Sequence, residues 1–384
     1  MTATNGKLDS ILVVGSSTGE NTLIISGAFE VGRKHLVSRH NLLGGSGLNY
    51  AFRLLNTGHS VIPVLTAGND ATGRHIQGSI SKLIRDEVKN YRKFKHINFV
   101  NEKGFLCDGL NTPQTSIVVS HDTRSIFTEK LIGANRYRNY VRSRLNRIKS
   151  LENVNIKGVV IGHIYTDSES LSANSPGKIT KSVIDLCHKK AITYLNFGES
   201  QISLGVNFWR DYLKKATVFQ LSLSEVRRFF AKDNGGKKVS LIKMIKWFQE
   251  NKITAIITLD KYGAIGTYKD GRRGLILCWP IEPLDIVDTT GAGDAFGSGV
   301  IANLYNKSNE IEFIDFYNAM AKARIWAAYA CTTIGGANDC PNNHQLAEFE
   351  SELIDNEKRS QVDPVEVQKI NNCEKILNIF DKAY

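Results

Sequence analysis

The chain contains no Cys-x-x-Cys pair, and its six cysteines (107, 187, 278, 331, 340 and 373) keep no metal-ligand spacing. A zinc module or a redox dithiol is therefore excluded as the organising feature. Cys187 and Cys331 fall in apolar helical stretches, where buried free thiols are expected. No apolar run approaches the roughly 20 residues needed to cross a bilayer. The first ten residues are polar and lack the apolar core of a signal peptide. The expectation is a soluble cytoplasmic protein with no membrane partner. What the chain does have is size: 384 residues, 42% of them hydrophobic, enough to bury the core of one large α/β domain or two ordinary ones. Its net charge of +11 concentrates at Arg136, Arg138, Arg142, Arg144, Arg147 and Lys149. That spacing wraps around a helix, aromatic interleaving is thin and no nucleic-acid motif appears, so a solvated basic helix is expected in place of a nucleic-acid surface.

Short β-branched runs alternate with helical patterns. Residues 11–14, 61–65, 159–161, 192–195, 218–221 and 253–259 read as buried strands, and Ile179, Val183, Ile184 and Cys187 share one face of a helix over 179–191. Continuous apolar strands alternating with helices predict a parallel sheet covered on both faces. Ligands of such sheets lie beyond the carboxyl ends of the strands. Residues 23–39 and 115–132 break the alternation and read as polar-alternating strands of a sheet exposed on one side. Residues 82–109 form a basic, polar insertion. Past Pro341, a charged linker and then Pro364, Val367, Ile370, Leu377 and Phe380 predict an amphipathic helix, packed on the body or on a second subunit.

The densest chemistry lies in Asp288-Thr289-Thr290-Gly291-Ala292-Gly293-Asp294-Ala295-Phe296. Gly291 and Gly293 permit backbone angles that a β-carbon forbids, and a helix follows, with Phe296, Val300 and Leu304 on one stripe. Free amides at a helix start, with the helix dipole, make a cradle for a phosphate or oxyanion. Asp294 cannot attract phosphate itself; its chemistry is to accept a proton from an attacking alcohol. A base beside an anion cradle is the minimum for phosphoryl transfer. The competing reading of an isolated Gly-x-Gly-Asp is a tight turn whose Asp caps a helix.

This segment resembles the second signature of the ribokinase/PfkB family of carbohydrate kinases. Gly44-Gly45-Ser46-Gly47-Leu48-Asn49-Tyr50-Ala51, followed by Ala67-Gly68-Asn69-Asp70-Ala71-Thr72-Gly73, resembles the first. Gly133-Ala134-Asn135, Thr258 to Gly263 and Gly335 to Pro341 are similar to further family segments, all in one order. The resemblance covers about residues 10–342. It implies a ribokinase-like three-layer α/β/α sandwich with a mostly parallel central sheet and a small β lid, its strands at about 23–40 and 113–132. Residues 343–384 would be a C-terminal helical extension.

The resemblance further implies Asp294 as base and Gly291, Ala292 and Gly293 as anion hole. It implies ATP at Ser222, Glu225, Thr258, Asp260, Gly263 and Gly293, with Glu225 organising Mg²⁺ through water. Glu225 as an ordinary helix N-terminal carboxylate is the other reading. Glu20, Asn21, Gly44, Gly45 and Asn49 would meet sugar hydroxyls together with Asp294. Asp288, Thr290, Gly335 and Asp339 would hold K⁺ or else form a loop-stabilising hydrogen-bond set. Three departures stand out: Ser222 replaces the usual Asn, Asp260 the usual Gly, and Glu20 the usual Asp. The expected function is ATP-dependent phosphorylation of a hydroxymethyl group of a sugar or sugar-like molecule by a monomer or homodimer. The alternatives are a nucleoside kinase, or a catalytically weak family member that binds or regulates.

Overall fold

The computed structural model describes all residues except 1–2, 5–6, 89–104, 121–122, 151–153, 169–175, 282–284, 309, 361–364, 370–372, 374–376 and 382–384. Fourteen strands follow in chain order: β1 (Ala3–Thr4), β2 (Lys7–Gly15), β3 (Thr18–Ile25), β4 (Val37–Gly44), β5 (Val61–Leu65), β6 (Gln114–Ser120), β7 (Thr123–Thr128), β8 (Val154–Ile161), β9 (Ile192–Asn196), β10 (Val218–Ser222), β11 (Ala255–Thr258), β12 (Ala264–Thr267), β13 (Leu275–Cys278) and β14 (Val365–Gln368). The helices are α1 (Ser46–Asn56), α2 (Ala71–Val88), α3 (Ala134–Lys149), α4 (Lys178–Cys187), α5 (Glu199–Ile202), α6 (Val206–Leu213), α7 (Leu223–Asp233), α8 (Leu241–Glu250), α9 (Ala292–Leu304), α10 (Phe313–Ala330) and α11 (Asn343–Ser360).

The large sheet runs β5-β2-β8-β9-β10-β11-β12-β13-β14, with short β1 folded back antiparallel on β2. From β5 to β11 neighbours are parallel; β12, β13 and β14 continue antiparallel. Successive side chains of a strand point to opposite faces, and β2 shows the consequence. Leu12 and Val14 enter a core with Val141, Val183, Trp209, Phe229 and Phe248 from α3, α4, α6, α7 and α8. Ile11 and Val13 enter a second core with Leu54, Val300 and Met320 from α1, α9 and α10. The molecule is a three-layer α/β/α sandwich, as the strand–helix alternation predicted. α9 and α10 approach closely because Gly299 has no side chain: a β-carbon there would lie 2.8 Å from the Ala323 Cα.

The small sheet is ordered β4-β3-β6-β7. β3 pairs antiparallel with β4 but parallel with β6, so the two segments of the expected lid join through a parallel pair. Its boundaries differ from the expected ones. Residues 26–36 connect β3 to β4, and β3 begins at Thr18, directly after β2.

The tail also departs from expectation. Val365–Gln368 is a strand against β13, and Val367 is exposed on it. The sequence there, Val-Glu-Val-Gln, has the period of a strand. Helix resumes by residues 377–381, where Leu377 and Phe380 are buried in the body. Pro364 and Ile370 lie outside the described residues, as does 89–104 of the basic insertion; 82–88 of that insertion are the end of α2.

Candidate active site

The carboxyl edge of the parallel strands carries the site. β2 ends at Gly15, β9 at Asn196, β10 at Ser222 and β11 at Thr258, with Ser222 and Thr258 directly paired. The helix start of α9 faces this edge, held by Gln220 of β10, whose Nε2 donates to the Gly293 carbonyl at 2.9 Å. The Gln220 amide is itself fixed by the buried Tyr194 hydroxyl, which donates to its oxygen.

Gly291 is the N-cap of α9, with φ 77°, ψ 4°. A β-carbon here would be strained by the left-handed backbone and would lie 2.7 Å from the Gly336 Cα. The Ala292 amide donates to the Thr289 carbonyl at 3.3 Å, so it is not the free donor expected of it. Among the described residues, the amides of Gly293 and Asp294 have no acceptor within the protein. They are two of the orphan donors of a first helical turn. Gly293 is exposed, so the cradle opens to solvent.

Asp294 is oriented by three donors. Ser46 Oγ donates to Oδ1 at 2.9 Å, Asn196 Nδ2 to Oδ1 at 3.2 Å, and Asn49 Nδ2 to Oδ2 at 2.7 Å. Asn49 and Ser46 come from the first turn of α1, after Gly44 and Gly45, so the two glycine motifs meet at one carboxylate. Asn196 also donates to the Tyr50 hydroxyl at 3.0 Å. Burial pushes the Tyr50 and Tyr194 hydroxyls well above the usual phenol range, so both remain neutral. Ser46, Tyr50, Asn196 and Gln220 had no role assigned from sequence. Ser46 and Tyr50 stand inside the glycine-rich motif, whereas no local pattern marked Asn196 or Gln220.

Glu20 lies between the lid and Asp294. Its carboxylate packs over Gly44, where a β-carbon would collide with it, and it accepts from Thr18 Oγ1 at 3.4 Å. Its Oε2 is buried without a partner. Burial, with smaller contributions from the charges of Asp294 and Asp288, pushes the Glu20 carboxyl up to about 7. Asn21 does not join it. As the next residue in β3 it points to the opposite face, where its Oδ1 accepts from Arg39 Nε at 2.7 Å. Gly45, φ 93°, brings the backbone within 2.7 Å of Ser17 Cα as measured from a would-be β-carbon.

On the β10–β11 side, Ser222 caps α7 and Glu225 returns the bond. Ser222 N and Oγ each donate to Glu225 Oε2 at 2.8 Å. This is the helix N-terminal carboxylate arrangement, and it leaves Oε1 outside the capping box. Asp260 has φ 51° and is exposed, and Gly263 has φ 94°. Asp is one of the few residues with a side chain that tolerates this conformation, which accounts for an acid standing where glycine is usual. Its exposed side chain leaves the turn itself to be closed by backbone bonds, Leu259 N to Gly263 O at 2.8 Å among them.

Of the remaining set, Asp288, Thr290 and Gly335 are joined by hydrogen bonds. Asp288 Oδ1 accepts from Thr290 N and Oγ1 at 2.8 and 2.7 Å, and Oδ2 from Gly335 N at 2.9 Å. Asp339 is exposed, with φ 47°, and holds no hydrogen bond among the described residues. Both oxygens of Asp288 thus accept hydrogen bonds within the loop, as the loop-stabilising reading expects. Among the described residues no three His, Cys, Asp or Glu side chains group to hold a metal, and no helix is long and apolar enough to cross a membrane.

A family model for pfkB family carbohydrate kinases matches residues 110–337, more than half of the chain. The chain belongs to the pfkB family of carbohydrate kinases. A sugar kinase of Dictyostelium discoideum, itself uncharacterized, is 30% identical over 131 residues, 30% of this chain and 36% of that protein. The chain therefore spans about a third of the length of that curated relative. Arabidopsis thaliana ribokinase, solved with ribose and ATP, superposes with TM-score 0.60 at 15% identity, covering 89% of this chain and 98% of its own. A Burkholderia thailandensis nucleoside kinase, solved with inosine, gives 0.62 at 16%, covering 89% and 97%. At such identities the likeness is one of fold. The chain thus has the ribokinase-like sandwich.

Proposed function

We propose that this pfkB-family protein transfers the γ-phosphoryl group of ATP to a hydroxymethyl group of a sugar or sugar-like molecule. The observation that carries the proposal is the Asp294 carboxylate, held by Ser46, Asn49 and Asn196 within one turn of the unpaired Gly293 and Asp294 amides. The acceptor would lie under the lid, against Gly44, Gly45, Asn49 and the Glu20 carboxyl. The nucleotide would lie across the β10–β11 edge, against Ser222, Thr258 and the Asp260–Gly263 turn. The two substrates then meet at the start of α9.

In the transfer, the hydroxyl oxygen attacks the γ-phosphorus, its proton passes to Asp294, and the bond to the β-phosphate oxygen breaks to release ADP. The free amides receive the charge that gathers on the phosphoryl oxygens, and positioning and electrostatics supply most of the acceleration. Mg²⁺ arriving with the nucleotide would neutralise phosphate charge. Glu225 fits that ion, since its Oε1 is free to accept from a metal-bound water. No step is assigned to Asp288.

The fully buried Tyr50 and Tyr194 are core residues and offer no face to a nucleobase. The test is ADP release across a panel of sugars and nucleosides, for the wild type and Asp294→Asn. The expected result is turnover of a sugar that drops about 10² to 10⁴-fold in the variant. Equal rates, or no acceptor at all, would replace this reading with that of a binding or regulatory protein.

A further inference from the structure

Arg53 is buried, only 3% exposed, yet no carboxylate pairs with it among the described residues. A guanidinium cannot shed its proton in a protein, and an isolated buried charge is strongly unfavourable. Such a side chain needs a compensating negative charge, and its surroundings show where one would come from. Arg53 belongs to the last turn of α1, but long helical side chains lean back toward the N-terminus. Its Nη1 accordingly reaches the carbonyl of Asn49 at 3.4 Å, one turn back. Its Nη2 lies 3.3 Å from the position a β-carbon on Gly291 would occupy. The guanidinium therefore sits directly behind the left-handed glycine that opens the anion turn, alongside the residue that holds Asp294.

We infer that Arg53 is a positioning residue of this site: a resident cation whose field strengthens the Gly291–Asp294 turn for a phosphoryl group. The inference rests on the phosphoryl-transfer reading above. The alternative is a purely structural arginine that complements the dipole at the end of α1. Thr57 argues against that, because its Oγ1 donates to the Arg53 carbonyl at 2.8 Å and already serves that helix end.

The test uses the full chain and inorganic phosphate as probe, with binding followed by titration calorimetry and stability by thermal unfolding. Arg53→Met and Arg53→Gln are expected to unfold at or above the wild-type temperature, since a buried unpaired charge has been removed. Both should bind phosphate at least tenfold more weakly, while Arg53→Lys retains most of the affinity. In turnover, kcat should fall by a similar factor in the neutral variants with the KM for the sugar unchanged. Wild-type phosphate affinity in folded Arg53→Gln would overturn the inference. So would failure of both neutral variants to fold where Arg53→Lys folds, since that marks a structural charge. Phosphate binding needs neither sugar nor base. Absence of any acceptor would therefore sink the proposed reaction while leaving the Arg53 result readable.

Discussion

Replacing Glu20 with Gln separates the electrostatics of the substrate pocket from its shape. The Glu20 carboxyl is desolvated under the lid, one oxygen has no partner, and its pKa rises from 4.5 to about 7. Between these pH values the folded chain keeps a proton that the unfolded chain has released. The unfolded state therefore binds fewer protons, and stability falls as pH rises through the window. Each pH unit there costs about 1.4 kcal/mol, so the loss reaches roughly 3 kcal/mol by pH 7 and is constant above it. Gln imitates the protonated acid and carries no such dependence. Unfolding entropy of about 2.1 cal/mol/K per residue makes 1 kcal/mol worth roughly 1 °C in a chain of this length. Without ligand, Glu20→Gln should match the wild type near pH 4.5 and unfold about 3 °C higher at pH 8. Scanning calorimetry of both proteins at the two pH values is the assay. Melting temperatures that differ by the same amount at both would refute the reasoning, because they would show that Glu20 carries the same charge folded and unfolded. The functional counterpart is the sugar KM, which should vary across pH 7 in the wild type, as the acid loses its O–H donor, and stay flat in the variant.

Gly291→Ala combines the left-handed penalty of about 1–2 kcal/mol with a contact 2.7 Å from Gly336 Cα. The helix start should shift, lowering kcat by tenfold or more while the melting temperature falls by only a few degrees; unchanged kcat would show that the turn does not bear on the reaction. Asp381→Ala removes the carboxylate that accepts from the Leu241 amide at 3.0 Å, the cap of α8, and that pairs with Arg227 at 3.3 Å. With both partners largely buried, roughly 1–3 kcal/mol should be lost in denaturant unfolding. Because Phe380 packs edge-on against Tyr262 of the Asp260–Gly263 turn, the KM for ATP should rise as well, and the sugar KM should not.

Where the proposed site depends on neighbours in sequence, its assembly was legible. The Gly291–Asp294 turn and the Gly44–Asn49 segment each bring backbone and side chain together within a few residues, so a glycine pattern with an acid or an amide announces them. The strands of the parallel sheet were read just as directly, since burial on both faces leaves a continuous apolar run. Reading failed where a side chain's direction or partner decided the matter. Glu20 and Asn21 were both assigned to the sugar, but a strand turns adjacent residues to opposite faces, and Asn21 is held by Arg39 on the face away from Glu20. Ala292 was counted with its neighbours as a donor, but the turn closes on its amide. The parallel pairing of β3 with β6 joins segments about 95 residues apart, a distance that no local periodicity reports.

Arg53 marks the deeper limit. In sequence it is one basic residue in an amphipathic helix, and its default reading is a solvated charge. Its significance depends on three facts fixed only by packing: it is buried, it lacks a carboxylate, and it abuts a glycine 238 positions away. A lone charge in a core is disfavoured unless something opposite in sign visits it. In a family that moves phosphoryl groups, the turn at Gly291 is where such a visitor would come to rest. The two glycine motifs are thereby joined through α1. α1 delivers Asn49 to hold the base in front of the turn and, from the next turn of the same helix, the cation behind it. A change in the tilt of α1 would therefore disturb proton acceptance and phosphate binding together.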